Sequence, residues 1–282
     1  MPRGLRPPPF PATPGSWLAA YRYRGTANGE RPSAEQLSRL MGVSGATIRR
    51  WESGQIRPTR EDLRRFASVC GLAPLEREFM LRCFASVDHE APPSDEAYEH
   101  LLSRSLESAL PTFVMDSLFY VRGWNSHQIA LSGRQPGQVP MNNAICALFD
   151  PKRTLRLDPV LEDQFTPWLR NFWLLTAELC GTPPYIRLLD ELRSLGDFEQ
   201  RWWDLALTQK MADTPVNLPT IYHSPQFGVF RVFMTRVILP PTYFLREYVP
   251  IDDTARRFVS ELRSKGRPDI GRNEHRHWSE EQ

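Results

Sequence analysis

Lysine is nearly missing from this chain, and its first 88 residues have none at all. Those residues carry 14 Arg against 8 Asp or Glu, a surplus of six positive charges. The remainder holds 21 basic and 25 acidic residues, a deficit of four, so the net charge of +2 hides a basic front and a mildly acidic body. That asymmetry suits a nucleic-acid reader joined to a second module. Other absences narrow the class. The four cysteines, Cys70, Cys83, Cys146 and Cys180, form no C-x-x-C pair. All but Cys146 sit among apolar neighbours in helix-like segments, as buried reduced thiols do. No apolar run approaches the roughly 20 residues of a membrane span, and no apolar stretch of signal-peptide type follows the N-terminus. No membrane insertion and a cytoplasmic setting are expected. G-x-S-x-G, Walker A and G-x-G-x-x-G are all missing. His275-Arg276-His277 beside Glu274 has no fixed geometry in a tail, and nothing in spacing joins Cys146 to His127. An enzyme is not expected, nor a metal or cofactor.

What is present centres on Ser33–Gly54, which reads as two short helices around a tight turn. Ala34, Leu37, Leu40 and Met41 recur at helical spacing, with Ser33 and Gln36 as a capping box. Gly42 suits a left-handed C-cap and Ser44 caps the next helix. Ile48 and Trp51 face one way, leaving Thr47, Arg49 and Arg50 for the other, and Gly54 closes.

The stretch resembles the helix-turn-helix of the phage-repressor-like (XRE-type) family at Ala34, Gly42, Val43, Ile48 and Glu52-Ser53-Gly54. The resemblance implies double-stranded DNA as partner. It places Ser33, Ser44, Gly45, Ala46, Thr47, Arg49 and Arg50 toward the duplex, with the second helix in the major groove. Arg50 suits bidentate contact to guanine O6 and N7. Gly45 and Ala46 depart from the family, whose members often carry long polar readers there.

Around this motif the spacing predicts a flexible Pro-rich arm over residues 1–14 and a five-helix headpiece over 15–90. Residues 91–110 read as a Pro-rich linker followed by a connector helix from Glu96 to Leu110. From Pro111 the grammar changes to an α+β domain over 111–264, ahead of a disordered tail at 265–282. Thr112–Met115 and Tyr120–Trp124 read as a hairpin around Asp116-Ser117. Two long helical stretches follow, ending near Cys180 and Leu207, the second with a break at Gly196-Asp197. Three strands close the domain, the middle one apolar on both faces and so expected to be central and covered. Strands at both ends with helices between imply a sheet assembled from distant pieces, the order of a PAS-like domain.

This second domain resembles the ligand-binding region of the MmyB-like regulators. The matching residues are Pro111, Val114, the V-R-G-W-N of Val121–Asn125, and Asn143 through Phe149-Asp150-Pro151. Leu188–Leu192, Phe198, Trp202, Pro225, Gly228 and Tyr248 continue the match. The family's His-Pro is split here as His223-Ser224-Pro225. The resemblance implies an α+β architecture overall, a homodimer, and an apolar pocket for a small aliphatic, fatty-acid-like ligand. The aromatic density between 165 and 205 points the same way. The expected lining is Phe113, Trp124, Trp168, Phe172, Trp173, Leu175, Tyr185, Leu188, Phe198, Trp202, Phe230 and Phe233, with Asn125, Arg187 and His223 as polar anchors. The adjacent pairs Phe172-Trp173 and Trp202-Trp203 cannot both face one interior, which calls for a second surface, such as a dimer interface. The other reading gives this domain a solid aromatic core and only a dimerising or protein-docking role.

Overall fold

Helix caps written in the sequence set the first elements of the computed structural model. It describes residues 8–26, 28–85, 95–132, 141–150, 156–157, 165–208, 219–224, 228–239, 243–264 and 270–272. Thr13 caps α1 (Pro14–Arg24). Ser33 and Gln36 cap α2 (Ala34–Met41) reciprocally, through bonds of 3.1 and 2.8 Å. Gly42, at φ 69° and ψ 28°, ends α2 in the left-handed region that favours glycine. Ser44 then caps α3 (Gly45–Glu52). Thr59 with Asp62 caps α4 (Arg60–Val69), and Pro74 opens α5 (Pro74–Cys83). The five expected helices are all present.

The chain divides into two compact units, and the division departs from the expected boundaries. One unit joins Met1–Val87 to Leu169–Thr214; the other joins Asp88–Trp168 to Pro215–Gln282. The two aromatic helical stretches therefore leave the expected continuous domain at 111–264 and belong with the headpiece. They comprise the end of α9 (Phe165–Leu175), a 3-10 turn (Ala177–Leu179), α10 (Pro183–Arg193) and α11 (Phe198–Leu207). The break between α10 and α11 falls at Gly196-Asp197, as read from sequence.

The physical reason lies in α1. Trp17, Leu18, Ala19, Ala20 and Tyr21 are all 3 % exposed or less, so this helix is apolar all round and needs cover on every side. The far cover comes from residues 169–208. Trp17 meets Trp202 at 5.7 Å between ring centroids, and Phe79 stacks on Trp173 at 4.1 Å. The second half of the Pro-rich arm is packed rather than flexible. Pro11 O accepts from Trp202 Nε1 at 3.1 Å, and Phe10 meets Trp203 edge-on while Arg193 lies over the Phe10 ring. Cys70, Cys83 and Cys180 are buried in this unit and Cys146 is half-buried in the other. Burial pushes the Cys70 thiol up to about 12, which keeps it protonated and inert.

The other unit is built on a seven-stranded antiparallel sheet. In chain order the strands are β1 (Thr112–Asp116), β2 (Val121–Asn125), β3 (Arg156–Leu157), β4 (Thr220–Ser224), β5 (Gly228–Leu239), β6 (Tyr243–Pro250) and β7 (Ile270–Arg272). In space they run β3-β4-β5-β6-β1-β2-β7. The sheet is indeed assembled from distant pieces, with β1 pairing β6. The β1–β2 hairpin is locked by Asp116, which accepts from the Leu118 and Tyr120 amides at 2.9 and 3.0 Å and binds Arg122.

Three details differ from expectation. Strand β5 is central, but only alternate residues are covered: Phe230 and Val232 are buried, whereas Val229 and Phe233 are 48 % and 39 % exposed. The expected connector helix, α6 (Asp95–Glu107), packs on β1 and β2 instead of standing apart, with Leu102 filling the space above Gly123. Within the expected disordered tail, Ile270–Arg272 form β7, and Arg272 binds Glu99 bidentately at 2.9 and 3.0 Å. The linker at 91–94 and His275 and His277 lie outside the described residues. The sheet unit is completed by α7 (Ser126–Leu131), α8 (Ala144–Phe149) and α12 (Asp253–Ser264). Among the described residues no helix is long and apolar enough to cross a membrane.

Candidate nucleic-acid interface

Helix α3 is held from beneath and open above. Ile48 and Trp51 are 1 % and 3 % exposed and anchor it in the core. From α1, Arg22 grips Glu52 at the end of α3, with Nε to Oε1 at 2.5 Å and Nη2 to Oε2 at 3.0 Å. Gly15 lets α1 approach the same end: a Cβ there would stand 2.4 Å from Glu52 O. At the other end Ser44 Oγ accepts the Thr47 amide at 3.0 Å and meets Thr47 Oγ1 at 2.8 Å. The outward face then carries Ser44, Ala46, Arg49 and Arg50, all exposed, with Gly45 and Thr47 half-buried.

Of the seven residues expected to face DNA, six lie on α3 or at its N-cap, and Ser33 is the N-cap of α2. The structure adds a neighbour that sequence reasoning missed. Glu35, in the first turn of α2, makes an ion pair with Arg49, and both side chains are more than half exposed. The Arg49 guanidinium holds the Glu35 carboxyl below the usual carboxylate range. Its place is made by Gly45, where a Cβ would come 3.2 Å from Glu35 Oε1 and 3.3 Å from its Cγ. The missing side chain at 45 was the signal; what fills its space is a non-local fact. Arg50 has no ion pair among the described residues and points outward.

The residues expected to line a ligand pocket are divided between the two units. Phe172, Trp173, Tyr185, Leu188, Phe198 and Trp202 are buried in the headpiece unit, where ring spacings of 4.1 to 6.2 Å mark a filled aromatic core. Leu175 is half-buried there, and Arg187 is exposed on α10. Phe113, Trp124, Asn125, Trp168 and Phe230 are buried in the sheet unit, His223 is half-buried on β4, and Phe233 faces outward. Asn125 is a structural cap. Its Oδ1 accepts from the Thr112 and Gln128 amides at 3.1 and 3.0 Å, and its Nδ2 donates to Leu110 O at 2.7 Å.

Strand register puts Phe113, Trp124, Tyr222, Phe230, Arg246 and Tyr248 on one face of the sheet. The Arg246 guanidinium, 5 % exposed, lies over the Trp168 ring at 5.5 Å. Burial raises the Tyr248 hydroxyl pKa, and the fully buried Gln128 of α7 and Tyr222 lie near it. This polar group within an aromatic face was not foreseen. Alternation along β5, β6 and β2 is the signal that carries it. A separate open groove of about 320 Å³ is lined by Leu110, Val249, Pro250, Arg256, Val259, Ser260 and Arg263, none of them an expected lining residue.

No curated protein matches the chain. Residues 19–80, which include all of α2, α3 and α4, match the family model of a helix-turn-helix domain, and such a domain supports a DNA-binding regulator.

Proposed function

We propose that the protein is a sequence-specific transcription regulator that reads double-stranded DNA through α3 and senses a small aliphatic ligand through its sheet unit. The observation that carries the first half is α3 itself: capped at Ser44, clamped at Glu52, and presenting Thr47, Arg49 and Arg50 outward from a basic headpiece. Helix N-termini favour phosphate, and the N-terminal half of such a helix meets base edges. Arg50 is the residue best placed for bidentate contact with guanine. Arg50→Ala is expected to cost about 1–3 kcal/mol of discrimination at one base pair, read as a relaxed position in duplexes selected by the protein. Unchanged binding and preference would remove Arg50 from the reading set. Failure of the unaltered protein to retard any duplex at low salt would end the DNA-binding reading.

For the sheet unit, a PAS-like ligand-binding role of the MmyB-like kind is supported by the aromatic inner face and its buried polar groups, Gln128, Arg246 and Tyr248. Were a carboxylate-bearing ligand held there, Arg246 would be its counter-ion. Helix α6 packs on the opposite face, since Gly123 under Leu102 alternates with Trp124. A ligand on one face then favours one packing of α6, and in a homodimer this sets the spacing of two recognition helices. Denaturation and extraction of the purified protein is expected to release a lipid visible by mass spectrometry. Fatty acids of roughly C12–C18, sized to pockets of about 300–1,000 Å³, are expected to raise Tm. Two blanks would favour a purely dimerising or docking sheet unit, a reading that exposed Val229 and Phe233 on β5 support.

A further inference from the structure

A carboxylate on a surface meant for a polyanion needs a reason. Glu35 stands beside the first turn of α3, against Gly45 and paired with Arg49, so an acid touches the expected reading residues. Facing phosphate it is repulsive, and it ties up a cation that would otherwise neutralise a phosphate. Facing a base edge it is an acceptor only, and the major groove offers amino donors just at cytosine N4 and adenine N6. The guanine O6 and thymine O4 acceptors repel it. Gly45 belongs to the same arrangement, because any side chain there would press on the Glu35 carboxylate.

We propose that Glu35 is a specificity-determining residue of the DNA-reading surface. Bridged by Arg49 across the space left by Gly45, it selects base pairs that present an amino donor beside α3 and opposes docking on the backbone alone. The proposal rests on the DNA-binding reading above. It alters the meaning of the small residues at 45 and 46: the long polar reader is present, supplied by α2 instead of α3. Arg49 donates to an adjacent guanine while Glu35 accepts from cytosine or adenine, so the pair reads as one unit.

The test compares the full-length protein with Glu35→Gln and Arg49→Ala. Duplexes are selected from a random pool, and affinities for selected and random duplexes are measured over a salt series. Glu35→Gln keeps the shape and removes the charge. It is expected to raise affinity for random duplex, to lower the selected-to-random ratio on the order of tenfold, and to relax one amino-bearing position. With Arg49 released to a phosphate, the slope of log K against log salt steepens by about 0.9. Arg49→Ala is expected to relax the same or the adjacent position without steepening the slope. A Glu35→Gln protein with unchanged ratio, preference and slope overturns the proposal while leaving DNA binding intact. An unaltered protein that binds no duplex overturns the DNA-binding reading itself, and the two failures are told apart by that first measurement.

Discussion

Replacing Trp202 by alanine is expected to destabilise the DNA-reading headpiece by about 3–5 kcal/mol, although Trp202 lies far along the chain from the helix-turn-helix motif. The side chain is fully buried, with ring contacts to Trp17, Phe172 and Phe198 at 5.7, 5.7 and 5.5 Å. Its Nε1 donates to Pro11 O, which is left without that donor in the variant. Trp17, beneath it, is the centre of an apolar α1. A cavity here therefore loosens the helix that carries Arg22, and with it the clamp on Glu52 at the end of α3. Duplex retardation should fail at temperatures where the unaltered protein still binds. A fragment of residues 1–90 is expected to behave still worse, exposing Trp17 and Phe79 and melting without cooperativity. If that fragment melts cooperatively at the headpiece temperature of the whole chain, residues 169–208 are not part of this core.

This prediction turns on the feature least legible in the sequence. Signals that act within a few residues are read reliably: Ser33 with Gln36, Gly42, Ser44, Thr59 and the Gly196-Asp197 break each define an element boundary, because caps and turns are local chemistry. Periodicity likewise finds α9, α10 and α11 and their apolar stripes. It does not say what an apolar stripe packs against, since any other apolar surface satisfies it equally. Continuity of chain suggested the sheet; the structure gives the headpiece. One clue was present. Trp17-Leu18-Ala19-Ala20-Tyr21 has no polar residue, which a helix on the outside of a five-helix domain would have, so a further layer over α1 was implied.

The outward face of α3 was legible because it follows from the phase of a short capped helix: once Ile48 and Trp51 are inside, Ala46, Arg49 and Arg50 are outside. Glu35 was not, because its position depends on how α2 crosses α3. In the sheet unit the hairpin was legible from alternation around Asp116-Ser117. Strand β7 was not, since three residues carry no period and only pairing with β2 defines them. The expected polar anchors Asn125, Arg187 and His223 follow from residue type alone, which does not say what each side chain faces. Arg246 and Tyr248 are placed by strand register, and Gln128 comes from α7. Register is a property of the assembled sheet.

The buried ion pair between α1 and α5 carries the other large effect. Arg24 and Glu76 have side chains 9 % and 2 % exposed, joined through Nη1–Oε1 and, at 3.0 Å, Nη2–Oε2. Glu76 Oε2 also accepts the Ala73 amide at 2.8 Å, serving as cap where Ala73 has no side chain to do so. The Arg24 guanidinium lies 5.1 Å from the Tyr21 ring centroid, whose hydroxyl pKa burial raises. Glu76→Ala leaves a guanidinium in the core without its counter-ion, and such half-broken pairs typically cost about 3–5 kcal/mol. In a chain of this size that corresponds to a fall in Tm on the order of 10 °C. The pair itself need not be net stabilising, because desolvating both charges offsets most of their attraction. Arg24→Met with Glu76→Leu is therefore expected to regain most of the loss, short of about 1 kcal/mol for the missing cap. Thermal melts of Glu76→Ala and of the double variant settle the point. A Glu76→Ala protein within about 1 kcal/mol of the original would mean that water reaches Arg24 and that α1 and α5 are not sealed against each other.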